Sequence, residues 1–342
     1  MPSADPNRNF AHWQAALTKI LPGVAVSATV ALAATFISEH HGGPTLVYAL
    51  LLGMALQFLS LNETTAPGIQ FVSRSLLRIG VAMLGVRIGV AQIVELGAWP
   101  IAIVVTAVVA TVVFGRFAAP FLKLTPEQGI LTGGAVAICG ASAALAVASV
   151  LPRTPESESN TIFTVVAVTV LSTIAMVFYP VMIRIAGLDA QSAGIILGGT
   201  IHDVAQVVGA GYSISDEVGI VSTYIKLCRV AMLVPVVTVL YFMYATTHVP
   251  GAITNKPLFP MFLMVFVLLA TVNSIGFVPS AVGDIMAQTS RWFLVCAIGA
   301  LGMKTSLQQL SRIGWRPLGL VIGETAFLFM LVTSAILLAP PK

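Results

Sequence analysis

Gly198-Gly199-Thr200-Ile201-His202-Asp203-Val204-Ala205-Gln206 sets a histidine, an aspartate and a glutamine inside a run that is apolar on both sides. An ionisable residue at the centre of a membrane helix costs about 2.5–3.5 kcal/mol on insertion scales, so it faces partners inside a bundle and marks a functional position. His202 and Gln206 are four apart and share a helix face, while Asp203 lies about 100° round and meets Gln206 at i, i+3. Asp203 could carry a coupling proton, or stay ionised and hold Na⁺ or a cationic side chain. His202 could titrate near neutrality or donate to a substrate oxygen. A purely structural aspartate, paired with Lys or Arg of a neighbouring helix, remains the alternative.

The rest of the chain supports a membrane setting. Of its 342 residues 57% are hydrophobic and only 9% charged, and the mean hydropathy is +0.97, whereas soluble domains carry about 25% charged residues. Apolar runs of the ~20 residues needed to cross a bilayer recur from Lys19 almost to the C-terminus. The net charge of +4 comes from basic residues scattered singly between these runs, which excludes a nucleic-acid-binding patch. Cys139, Cys228 and Cys296 lie in apolar stretches without CxxC or His/Cys spacing, so neither a disulfide framework nor a metal site is expected, and no cofactor. Ala31-Leu32-Ala33 after Lys19 mimics a signal-peptidase site, but a retained first helix is the expectation.

Boundaries at Pro, Gly and charge clusters give about eleven transmembrane helices in an all-α polytopic protein. The predicted spans are 19–38, 44–60, 73–94, 97–119, 126–150, 160–182, 190–211, 220–246, 257–275, 281–303 and 315–338. Residues 1–18 form a cytoplasmic N-terminal segment, and 19–338 a single transmembrane domain. With the N-terminus inside, ten basic residues (Arg8, Lys19, Arg74, Arg116, Lys123, Arg184, Lys256, Lys304, Arg312 and Arg316) are cytoplasmic, against Arg87, Arg153 and Lys342 outside. The expected location is a bacterial inner membrane.

Internal repetition refines the architecture. A shift of 217 residues superposes Ser73/Ser290, Arg74/Arg291, Leu77/Leu294, Leu84/Leu301, Gly85/Gly302, Gln92/Gln309, Gly97/Gly314 and Pro100/Pro317, with Arg87 over Lys304. A second match, offset by 145, sets Leu52-Gly53 over Leu197-Gly198. Five-helix repeats over 44–182 and 190–338, behind an extra first helix, satisfy the second match, and an odd number of helices makes the copies inverted. The first match relates spans 3 and 10, so the two offsets do not describe one simple duplication.

Further segments carry chemistry. Gly133-Gly134-Ala135-Val136-Ala137-Ile138-Cys139-Gly140-Ala141-Ser142 is a small-residue run in the fifth span. Unwound backbone at membrane depth is tolerated where it is buried or lines a cavity, and a half-helix N-terminus attracts anions; the bland reading is close helix packing. Gly140 and Ser142 are therefore candidate substrate contacts, with His202 and Gln206. Lys226 and Arg229, one turn apart in Tyr224-Ile225-Lys226-Leu227-Cys228-Arg229, could grip an oxyanion, snorkel to the interface, or neutralise Asp203. Glu324, deep in the last span, joins Asp203 as a candidate carrier of a coupling proton or ion. One side of that last helix could instead face an oligomer partner, such as a second copy. Arg87 and Lys304 read as interface anchors, with entrance charges as the alternative.

Ile138-Cys139-Gly140-Ala141-Ser142-Ala143, Gly199-Thr200-Ile201-His202-Asp203-Val204-Ala205-Gln206-Val207-Val208, Lys226-Leu227-Cys228-Arg229-Val230 and Leu84-Gly85-Val86-Arg87 resemble the YeiH-like family, described as sulfate exporters. The resemblance runs from about residue 20 to 335. It implies a fold similar to bile-acid and cation/proton antiporter-type carriers, with inverted five-helix repeats and two discontinuous helices crossing at the centre. Under that analogy spans 5 and 10 are the crossing pair, with the second break at Ala297-Ile298-Gly299-Ala300-Leu301-Gly302. The expected function is secondary transport of a small anion, a sulfur oxyanion or small sulfonate, coupled to H⁺ or Na⁺. An Na⁺/H⁺ or organic carboxylate carrier is the alternative. An enzyme is not expected, since the sequence lacks His-Glu-x-x-His, Gly-x-Ser-x-Gly and phosphate-loop motifs.

Overall fold

The computed structural model describes residues 6–87, 97–152, 156–244, 261–305 and 314–338, with side chains from residue 18 onward. The described residues are helical or in connecting turns, and seven helices are long and apolar enough to cross a membrane. The chain divides into two compact units, residues 1–84 with 279–306 and residues 85–278 with 307–342.

The first unit contains α1 (Pro6–His41), α2 (Thr45–Ala55), α3 (Ala66–Phe71), α4 (Leu77–Met83) and α14 (Ser280–Lys304). A π-helical turn, Val72–Leu76, joins α3 to α4 within one continuous span. Hydroxyls in α1 close on their own helix, Ser27 Oγ donating to the Gly23 carbonyl at 2.8 Å and Thr35 Oγ1 to that of Ala31 at 2.8 Å. Backbones approach directly where glycines meet: a Cβ at Gly53 would strike the Gly299 carbonyl, and one at Gly302 the Leu50 carbonyl. Ser290 Oγ donates to the Gly80 carbonyl at 2.6 Å and Lys304 Nζ reaches Ser73 Oγ at 3.4 Å. Position 80 thus meets 290 while 73 meets 304, so the two helices carrying the 217-residue match lie antiparallel.

The second unit contains α5 (Trp99–Ala118), α6 (Pro126–Ala137), α7 (Ala141–Ala148), α8 (Ser157–Ala186), α9 (Ala190–Thr200), α10 (Val204–Tyr212), α11 (Asp216–Ala231), α12 (Leu233–Met243), α13 (Met261–Ser274) and α15 (Trp315–Leu338). Thr125, Asp189 and Ser215 start α6, α9 and α11 by accepting from backbone N–H groups of the first turn. α15 packs on α5, α6, α8 and α9, with Phe327 stacked on Phe114 at 4.4 Å. Large apolar side chains such as Phe117, Val109, Phe178 and Ile185 stand exposed along the outer faces, as lipid contact requires.

Several expected spans are corrected. Predicted spans 126–150 and 190–211 are each two half-helices. Predicted span 44–60 narrows to the 11-residue α2, about 16 Å long and too short to cross alone. Predicted span 257–275 appears as the 14-residue α13, with 257–260 outside the described residues. The expected break in span 10 is absent: α14 runs uninterrupted for 25 residues. Its Gly299 and Gly302 serve close contact with Val30, Ala49 and Leu50, which keeps the helix whole. The partner of the break in span 5 is the break in span 7. Of the orientation signals, Lys256, Arg153, Arg312 and Lys342 lie outside the described residues, as do the side chain of Arg8 and Gln92 and Gln309 of the repeat match.

Candidate functional site

α6 ends at Ala137 and α7 begins at Ala141; between them Ile138 leaves helical dihedrals and Gly140 turns the chain at φ 63°, ψ −126°. α9 ends at Thr200 and α10 begins at Val204, with Ile201 and Asp203 extended. Each break strands carbonyls at a helix C-terminus, where no intrahelical donor exists. Inside a membrane protein those carbonyls need donors from elsewhere.

Lys226 and Arg229 of α11 supply them. Lys226 Nζ donates to the carbonyls of Ile138 at 2.6 Å and Ile201 at 3.0 Å, and to that of His202. Arg229 donates from Nε to Ala137 O at 2.7 Å, from Nη2 to Val136 O at 2.7 Å, and from Nη1 to Gly198 O at 3.0 Å and Ile201 O at 2.9 Å. Both side chains are buried, Lys226 fully and Arg229 to 1% exposure. The three ammonium donors are all engaged. Two cations thus close two half-helix C-termini, each carrying about half a negative charge. Along α11 the earlier residue, Lys226, meets the later carbonyls of both half-helices, and Arg229 the earlier ones. α9 itself runs parallel to α11, since a Cβ at Gly194 would meet Val221 and one at Gly198 would meet Ile225.

The second break is pinned from α8 as well. Ser172 Oγ accepts from the Asp203 N–H at 3.0 Å and donates to Gln206 Oε1 at 3.2 Å, and Gln206 Nε2 donates to Thr173 Oγ1 at 3.3 Å. Asp203 Oδ1 accepts from Ala205 N at 3.1 Å, which makes its carboxylate the N-cap of α10. Asp203→Ala is expected to cost about 1 kcal/mol of stability through this cap and Asp203→Asn distinctly less, read as thermal melting of the purified protein; equal melting would remove the capping role.

His202 is fully buried, its Nε2 paired with Thr325 Oγ1 of α15 at 3.0 Å, while its Nδ1 has no partner among the described residues. Gly140 brings no side chain to the N-terminus of α7, and Ser142 in that first turn is exposed. All the site residues predicted from sequence lie in the second unit. Gly140, Ser142, His202, Asp203, Gln206, Lys226 and Arg229 border the breaks; Glu324 lies on α15 beside Thr325, its Oε1 accepting from Thr132 Oγ1 of α6 at 2.7 Å.

Ser172, Thr173, Thr132 and Thr325 were not legible in advance, because a hydroxyl in an apolar helix normally bonds back to its own backbone, as Thr173 also does. The second break did leave a signal. Gly129-Ile130-Leu131-Thr132-Gly133-Gly134 matches Gly194-Ile195-Ile196-Leu197-Gly198-Gly199, each behind a leucine and a capping residue, Leu124-Thr125 and Leu188-Asp189.

Residues 22–321 match the family model described as conserved hypothetical protein 698. A UPF0324 membrane protein of Chlorobaculum tepidum is 51% identical over 332 residues, covering 95% of this chain and 93% of its own. The UPF0324 membrane protein TauZ of Paracoccus pantotrophus is 48% identical, with 94% and 96% covered. A UPF0324 membrane protein of Bordetella pertussis is 35% identical, with 91% and 92% covered. With these relatives along nearly its whole length, and two interrupted helices at its centre, the chain belongs to the UPF0324 family of multi-pass membrane proteins.

Proposed function

We propose that this chain is a secondary carrier that exports a small anion, a sulfur oxyanion such as sulfate or sulfite or a small sulfonate, across a bacterial inner membrane. The observation that carries the reading is the pair of interrupted helices whose C-terminal ends are neutralised internally by Lys226 and Arg229. The N-terminus of α7 is left without a capping side chain. Discontinuous helices at membrane depth are the recurring binding element of secondary transporters, with half-helix N-termini directed to anionic groups. In this reading the anion meets the first turn of α7 at Gly140 and Ser142, and His202 Nδ1 is the buried polar atom available to it. Lys226 and Arg229 contribute field, while their donors hold the backbone.

The antiparallel packing of the two helices that share the 217-residue match favours an inverted relation between those segments. An N-terminus inside remains the orientation supported by the basic residues.

Counterflow of labelled sulfate and sulfite in proteoliposomes tests the cargo. Saturable exchange of a sulfur anion is the expected result. Movement of citrate or Na⁺ with no sulfur anion moved would replace the cargo by the carboxylate or cation alternative; no flux of any of these would remove the carrier reading.

A further inference from the structure

Glu324 Oε1 takes one hydrogen bond, from Thr132 Oγ1 of α6 at 2.7 Å, and its Oε2 has no partner among the described residues. The side chain is fully buried. Thr111 Oγ1 of α5 is likewise buried without a partner. Gly115, one turn further along α5, leaves the space in which the carboxyl lies, since a Cβ there would strike Glu324 Oε1.

Among the described residues no cation is paired with the carboxyl. The elements packed on α15 are α5, α6, α8, α9 and the turn Ala119–Leu122. On α5, Arg116 is directed to Tyr244 Oη at 3.4 Å. Glu127 and Glu158 lie in the first turns of α6 and α8. Tyr179 of α8 is tilted against Phe329 at 4.7 Å, and Arg184 donates to the Ser213 carbonyl. α9 and the turn carry no ionisable side chain. Asp203, the other carboxylate of the unit's interior, already serves as the cap of α10.

Position matters as much as environment. Glu324 is bonded to α6, the first half of one broken helix, and the next residue, Thr325, to His202 at the break of the other. One turn of α15 therefore touches both interrupted elements.

We propose that Glu324 is the proton-exchange site of this carrier, so that the coupling ion is H⁺ and not Na⁺. The inference rests on the carrier reading above. The step is a reversible transfer: the carboxylate gains one proton from water on one side to become a neutral acid, and returns it to water on the other. Gain or loss of that charge changes the hold of α15 on α6, and α15 transmits the change to the second break through Thr325.

The test uses the full chain purified into liposomes. Infrared difference spectra between two pH values are recorded for wild type and Glu324→Gln, a readout that needs no cargo. A protonated-carboxyl band present in wild type and missing in E324Q is expected; the same band in both overturns the proposal. In flux, E324Q is expected to lower the ratio of pH-gradient-driven uptake to equal-pH exchange by about tenfold or more. An unchanged ratio overturns it, as does uptake at fixed pH driven by Na⁺ in wild type and lost in E324Q. If wild type moves no sulfur anion, the cargo assignment fails and the infrared arm still decides the proton site.

Discussion

Arg229→Met is expected to destabilise the protein by about 3–5 kcal/mol, because it removes the donor to buried carbonyls of two half-helices. The wild-type guanidinium joins Val136, Ala137, Gly198 and Ile201 in one planar fork, so the substitution leaves carbonyls of two different half-helices without a donor at once. Each such orphan costs about 1–3 kcal/mol, partly offset because the cost of burying the charge also disappears. Arg229→Lys keeps the charge but loses the fork, so an intermediate loss is expected. Thermal melting and size-exclusion of the purified protein measure the effect. A methionine variant that melts with wild type yet no longer moves anion would assign the guanidinium to the cargo and not to the backbone. Lys226→Met should behave in the same way as Arg229→Met, because its three donors are all spent on Ile138, Ile201 and His202.

The part of this arrangement that sequence reveals follows from what is costly in lipid. Asp203, His202, Lys226 and Arg229 stand out because charge inside an apolar run demands partners. The partners themselves are hidden. Nothing in Tyr224-Ile225-Lys226-Leu227-Cys228-Arg229 says that its cations face backbone carbonyls and not a free oxyanion, since both are oxygen acceptors and only packing brings Val136–Ile138 and Gly198–His202 to the same helix. The glycine pattern misled for a related reason. Ala297-Ile298-Gly299-Ala300-Leu301-Gly302 and Gly133-Gly134-Ala135-Val136-Ala137-Ile138-Cys139-Gly140 look equally able to break, yet the first is continuous helix. The difference lies in what each glycine meets: Gly299 and Gly302 lie against neighbouring helices, whereas Gly140 alone of these adopts a positive φ. Uninterrupted spans such as 97–119, 281–303 and 315–338 are legible, because a ~20-residue apolar run is a local property. That Glu324 meets Thr132 is a pairing across 192 positions that no local pattern carries.

Gly140 is the position where the break can be tested without touching a charge. Its φ of 63° with ψ of −126° lies outside the left-handed helical well and is open to glycine alone. A Cβ at this position would lie 3.7 Å from Val168 Cγ2 and 3.8 Å from His202 Cβ, ordinary contact distances. Gly140→Ala therefore costs about 1–3 kcal/mol through backbone strain and not through a clash. Because α7 folds back so that Val147 lies against Gly134, strain in the turn between them is expected to shift the Val136, Ala137 and Ile138 carbonyls relative to Arg229 and Lys226. Loss of transport is expected to exceed what the stability change alone would give. Gly187 is the matched control: its φ of 62° and ψ of 31° lie in the left-handed helical well at the end of α8, with open space around the Cα. Asparagine tolerates that well, so Gly187→Asn should shift stability by no more than about 0.5 kcal/mol, whereas Gly140→Asn should be as damaging as Gly140→Ala. Melting and anion counterflow on the three variants decide the matter. Full transport by Gly140→Asn would mean that the interruption in α6 and α7 does not depend on the glycine, and the binding role given to this turn would fall with it.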